Sequence, residues 1–256
     1  MELVVLGCQA GMPASGQASS GYLVATSRCR ILLDCGPGVA AALSAHGGAT
    51  GLDAVVITHL HPDHCYDLLP IGTTRRRAPQ PLPLHVPRGG RQLLHELGGV
   101  FPLGQDPRQD ISFHHAFTIQ EYLPGQLIRV GDCTLGMHGL RHVVANCGIR
   151  IRSDAGTMAY TGDTGLTDEL LELAREVDLL LAETTLASTD TSDWGHLCAT
   201  DAARVAAAAG AGQLVLTHFG SADPQWTHAR KADAERVFTG PVHLAQPGTH
   251  YPIGRP

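Results

Sequence analysis

The 256-residue chain sets 18 lysines and arginines against 24 aspartates and glutamates, a net charge of −6 with its histidines neutral. Hydrophobic residues at 43% and charged residues at 16% describe a chain that packs a core, and the acidic balance argues against a protein held to nucleic acid mainly by charge. No apolar run reaches the ~18 residues of a membrane span, the N-terminus has no basic flank or cleavage site of a signal peptide, and seven cysteines with no C-x-x-C pair fit a reducing, cytoplasmic compartment.

Short apolar runs at 3–6, 22–25 and 31–33, each closed by Gly, Pro or Asp, predict strands. The Ala-rich stretch 37–46 opens on Pro37 and closes on Gly47-Gly48, which predicts a helix. A strand at 52–57 runs straight into Thr58-His59; an extended run follows at 82–86 and a short helix at 90–97. From 99 to 124 the pattern is weak and reads as loop and short strands. Runs at 128–130, 133–138, 149–152 and 158–160, separated by Gly-Asp and Asp-Ala-Gly turns, predict antiparallel strands. Then come helix 166–176, strand 177–182, helix 199–209, strand 214–216, helix 224–238 and a last strand at 242–245. Hairpins followed by βα units thus occur twice, with no linker between the halves. The expectation is one domain over 1–256, of α/β class: an αββα sandwich of two mixed sheets flanked by helices.

Thr58-His59-Leu60-His61-Pro62-Asp63-His64 puts three imidazoles and a carboxylate within six residues, directly after a predicted buried strand. Neither a helix nor a strand presents four such closely spaced side chains on one face. A loop turned at Pro62 lets them converge. Imidazole and carboxylate are the N and O donors that zinc, iron or manganese accept. Buried without a cation, several of them would be left unsatisfied.

His-x-His-x-Asp-His after a hydrophobic strand resembles the signature of the metallo-β-lactamase superfamily, and the resemblance runs across nearly the whole chain. Leu33-Asp34-Cys35-Gly36 is similar to that family's D-x-G strand end. The resemblance implies two divalent metal ions, one on His59, His61 and His142 and the other on Asp63, His64 and His218. Asp163, in Tyr160-Thr161-Gly162-Asp163-Thr164, would bridge both. Flavin-linked di-iron oxygen reductases of similar fold carry a carboxylate where this chain has His61. An imidazole there favours hydrolysis and zinc, with manganese and iron as alternatives. At Asp34 two readings stand open: a carboxylate that orients the histidine loop, or an Asp-type turn after a strand.

Further on, Glu183-Thr184-Thr185 ends a strand, and Gly195-His196-Leu197-Cys198-Ala199-Thr200 opens a small-residue helix. This resembles ribonuclease Z and its smaller relatives. It implies that His196, steered by Glu183, protonates a departing alkoxide, while Asp63 and Asp163 orient the attacking hydroxide. The chain has no counterpart of that family's tRNA-gripping arm, Pro62 replaces its glycine, and Cys198 stands where it favours serine. The run from His59 to Leu68 is closer to short, armless hydrolases, some similar to cyclic-nucleotide phosphodiesterases. The expected function is a dinuclear metal-dependent phosphodiesterase acting on a small cyclic or nucleotide phosphodiester. A lactone, thioester or carboxyl-ester hydrolase is the alternative, and tRNA 3′ processing is less favoured. Neither a membrane nor a stable nucleic-acid partner is expected, and a homodimer stays open. The nine other histidines read as surface or packing residues, with His114-His115 a candidate pocket rim. Arg75-Arg76-Arg77 reads as a solvated basic run or as a phosphate grip, and Cys65 as packing.

Overall fold

In a computed structural model of the chain, which describes residues 1–75, 78–100 and 115–254, strand β1 (Glu2–Gly7) sends its apolar side chains two ways. Leu3 and Val5 face the space between two stacked sheets, and Val4 and Leu6 face helices on the other side. This period of two is what a strand buried on both faces requires. The first sheet runs in the order β14 (His250–Pro252), β1, β2 (Gly21–Ala25), β3 (Arg30–Leu33), β4 (Ala54–Val56), β5 (Leu82–Pro87), β6 (Phe117–Tyr122). The second runs β7 (Leu127–Val130), β8 (Cys133–Leu140), β9 (Asn146–Ser153), β10 (Gly156–Tyr160), β11 (Leu179–Thr184), β12 (Leu214–Phe219), β13 (Val242–Leu244). In each sheet antiparallel pairing gives way once to parallel pairing, between β3 and β4 and between β10 and β11.

Helices α1 (Val39–Ser44), α3 (Leu68–Arg75) and α4 (Gly90–Val100) cover the outer face of the first sheet through Val39, Leu43, Leu68, Ile71 and Leu94. Helices α5 (Asp168–Ala174), α6 (Ala199–Ala209) and α7 (Pro224–Glu235) cover the second. The alanines of α6 let it lie close on the sheet: Ala202, Ala203 and Ala206 are fully buried. A single turn, α2 (Pro62–Cys65), sits between β4 and α3. This is the expected αββα sandwich, and among the described residues no helix is long and apolar enough to cross a membrane.

Three local expectations change. Strand 214–216 extends to Phe219 and so carries His218 within it. A further strand, β14, pairs with β1. Arg75 is not a solvated cation: it is buried, and its guanidinium donates to the carbonyls of Ala49, Thr50 and Gln80 at 3.5, 3.3 and 2.9 Å. It ties down the 3-10 turn Ala49–Gly51 and is unavailable as a phosphate grip. Arg76, Arg77, His114 and the weak stretch 101–114 lie outside the described residues.

Candidate metal centre

The strands that turn parallel deliver their ends to one edge of the sandwich. After β3, Asp34 adopts a left-handed backbone with φ 55°. After β4, the chain passes through Thr58 to His59 and turns at Pro62, the first residue of α2, where the missing N–H costs nothing. The turn is pressed against Gly36, where an added Cβ would lie 1.9 Å from the Asp63 carbonyl oxygen, so only glycine fits. The Cys35 N–H donates to the His64 carbonyl at 2.6 Å, and the Gly11 N–H to Asp63 Oδ2 at 2.8 Å. From the second sheet, β8 leads to His142, β10 to Asp163 and β11 to Glu183. In β12, Thr217 pairs with Glu183 and Phe219 with Thr184, leaving His218 as an extra, bulged residue with φ 53°. The bulge re-aims its imidazole toward the other ligating side chains. Left-handed non-glycine residues cost on the order of 1–3 kcal/mol each, and here two of them face the same cluster.

The side chains named from the sequence meet in two groups. In the first, His61 Nδ1 lies 3.1 Å from His59 Nε2 and 3.2 Å from His142 Nε2. In the second, His218 Nε2 lies 3.2 Å from both His64 Nε2 and Asp63 Oδ2. Asp163 stands between them, Oδ2 3.7 Å from His59 Nε2 and Oδ1 3.3 Å from both His64 and His218 Nε2. All seven candidates are therefore in one cluster, each group having its donor atoms within 4.8 Å of one another.

Hydrogen bonds on the far side of four of the five rings fix where the lone pair points. His142 Nδ1 faces the Gly195 carbonyl oxygen at 3.1 Å and must donate to it. His64 Nδ1 donates to Asp34 Oδ2 at 2.7 Å. Thr58 gives its hydroxyl proton to Asp34, so it accepts from His59 Nδ1 at 3.1 Å. Thr185 gives its proton to Glu183 Oε2 at 2.6 Å, so it accepts from His218 Nδ1 at 2.8 Å. In the neutral imidazoles, the bare Nε2 lone pairs of His64 and His218 then face each other, those of His59 and His142 crowd His61 Nδ1, and buried Asp163 Oδ1 has no hydrogen-bond donor. Only a positive charge in their midst relieves this. A nitrogen and oxygen set of this kind suits zinc, iron or manganese.

The electrostatics agree. Burial pushes His59 well below the usual imidazole range and lowers His61 and His142, leaving their lone pairs free. Burial would also raise Asp163, but the His218 and His64 rings outweigh it and hold the carboxyl well below its usual range. For His64 burial is outweighed by Asp163 and Asp34, which favour a positive charge there.

Over the mouth of the cluster, His196 keeps 17% of its side chain exposed and donates from Nδ1 to Glu183 Oε1, 2.9 Å away. Its ring lies 5.1 Å from that of His142 and 6.2 Å from that of His218. Burial is offset by the Glu183 carboxylate, which raises the imidazole above its usual range. Sequence reading missed three supports. Asp190 Oδ2 accepts from the N–H groups of Gly195 and His196 at 3.0 and 3.1 Å, fixing the loop that holds both His142 and His196. Asn146 Nδ2 donates to the Asp163 carbonyl at 2.7 Å. Thr185 links Glu183 to His218. The only trace of these in the sequence is Asp190-Thr191-Ser192, a turn-forming pattern. Cys65 is buried packing, its thiol pushed up to about 12 by burial.

An αββα sandwich with paired histidine and aspartate donor sets at its strand ends is the architecture of a metallo-β-lactamase-type hydrolase. Residues 29–219 match the family model of the beta-lactamase superfamily domain, and the chain belongs to that superfamily of metal-dependent hydrolases. It is 31% identical to the probable metallo-hydrolase YhfI of Bacillus subtilis, over 97% of this chain and 98% of that protein. The crystal structure of YhfI matches with a TM-score of 0.86, at 28% identity and 98% coverage of each chain. Ribonuclease Z of Salinispora arenicola is 30% identical over 96% of this chain and 94% of its own.

Proposed function

We propose that the protein is a cytoplasmic phosphodiesterase, folded as one hydrolase domain over 1–256, that holds two divalent ions, zinc foremost, and cleaves a small cyclic or nucleotide phosphodiester. His59, His61 and His142 hold one ion, Asp63, His64 and His218 the other, and Asp163 both. Bound there, the ions supply charge that polarises phosphoryl oxygens and makes hydroxide available at neutral pH. Asp63 and Asp163, as acceptors on either side of the cluster, orient the attacking oxygen. His196 holds the proton for the departing alkoxide at its Nε2, because Nδ1 is committed to Glu183. Glu183 fixes that tautomer and raises the basicity of the ring.

The observation that carries this reading is the 2.9 Å pair of Glu183 and His196 poised over both donor sets. Thioester cleavage expels a thiolate, a better leaving group, and has less need of it. A net charge of −6 works against gripping a pre-tRNA. One feature favours an ester or lactone instead: a cavity of about 500 Å³ beside His142, lined by Leu123, Val143 and Val144, which suits an apolar acyl group. Purified, metal-loaded enzyme assayed on cyclic nucleotides, bis(p-nitrophenyl) phosphate, lactones and thioesters separates the two. Turnover of the phosphodiesters is expected; turnover confined to lactones or thioesters overturns the phosphodiesterase reading.

A further inference from the structure

β3 ends at the histidine cluster and β8 runs toward it, so the residues at their starts mark the opposite edge of the sandwich. There the β2–β3 turn of one sheet meets the β7–β8 turn of the other. Cys29 Sγ and Cys133 Sγ lie 3.5 Å apart, and a carboxylate oxygen of Asp132 joins them within 4.8 Å. The cysteines are 3% and 1% exposed, whereas Asp132 is half-buried and opens a path to solvent. Thr26 fixes the group: its hydroxyl accepts from the N–H groups of Arg28 and Cys29 and donates to Asp132 Oδ1 at 2.8 Å. Gly131, with φ 55°, lets the second turn approach so closely that a Cβ there would lie 2.6 Å from that of Cys29.

We infer that Cys29, Cys133 and Asp132 form a separate cation site that takes a thiophilic divalent ion of the zinc class. Two thiolates on one tetrahedral zinc, with Zn–S of about 2.3 Å, lie about 3.8 Å apart, near the separation found. A disulfide needs about 2.05 Å. Binding expels the two thiol protons to solvent and puts two positive charges in their place, so the net charge of the buried group does not change. Burial holds both thiols above their usual range, Cys133 at about 12, so both stay neutral until a cation displaces their protons. Asp132 has no part in a disulfide but supplies a third ligand, with water completing the set from its exposed side. The ion clips one sheet to the other at the edge far from the histidines.

Cobalt(II) is the probe. The histidine and aspartate cluster offers only nitrogen and oxygen donors, so a thiolate-to-cobalt charge-transfer band in the near ultraviolet reports on this site alone. The full chain titrated with cobalt(II) should show that band. Cys29→Ser and Cys133→Ser should each remove at least half of it, with hydrolase activity unchanged. Asp132→Ala, at a half-buried turn and so tolerant of change, should weaken the cobalt affinity read from the band about tenfold or more. Cobalt binding without the band, a band that survives in the double cysteine variant, or a Cys29–Cys133 disulfide in peptide maps of the purified protein overturns the inference.

Discussion

The two donor sets of the proposed centre differ less in chemistry than in what stands behind them. In the first set His61 and His142 are half-buried and His142 leans on a backbone carbonyl, while buried His59 reaches a carboxylate, Asp34, only through the Thr58 hydroxyl. Asp63, His64 and His218 are buried, and carboxylates back both rings: Asp34 on His64 directly, Glu183 on His218 through the Thr185 hydroxyl. A carboxylate behind an imidazole raises its basicity and fixes its direction. In the proposed centre the second set would therefore favour retention, and the first, with two half-buried rings, access by substrate.

The largest effect should come from the residue the sets share. Asp163→Ala should cut metal content by half or more and activity by about 10⁴ or more; elemental analysis that still finds two ions would refute the bridging role. Next, His196→Ala should cost about 10²–10⁴ on substrates with poor alkoxide leaving groups and much less on nitrophenyl esters, at unchanged metal content. Equal losses on both would remove His196 as the proton donor. Asp34→Asn tests the asymmetry itself. Competition with a chelator should show the buried set weakened about 10–100-fold and the other set less, and an equal loss at both would erase the contrast. The smallest effect is a shift in pH profile. Protonated His196 is present below its raised pKa and is lost as pH rises through it, so Glu183→Gln should move the alkaline limb of kcat/KM to lower pH. A limb that stays put would detach Glu183 from the donor.

The histidine cluster was legible because its densest part is local. His59 to His64 are close neighbours in sequence, and the partners from the second half each follow or end an apolar run that reads as a strand. The supports were not legible. A turn pattern at Asp190 and the neighbouring Glu183 at Thr185 do not disclose their roles, which arise from contacts with groups such as His218 and His196 brought in by folding. Arg75 misled for the opposite reason: in a triplet of arginines it reads as solvated, yet two carbonyls of a short turn and that of Gln80 recruit it. β14 has three residues with a proline among them and exists only as the partner of β1. Asp34 satisfied both of its open readings at once, a left-handed turn whose carboxylate also grips His64 and Thr58.

Each donor set also joins chain segments that are far apart: His61 and His142 are separated by 81 positions, His64 and His218 by 154. Closing loops of that length costs entropy before any contact repays it. Hairpins such as β1–β2 and β8–β9 need no such closure and can pair while the ligands are still dispersed. An ion that requires both halves in place cannot seed the fold; it arrives after the sheets have met and slows their parting. Chelation should consequently speed unfolding more than it slows refolding.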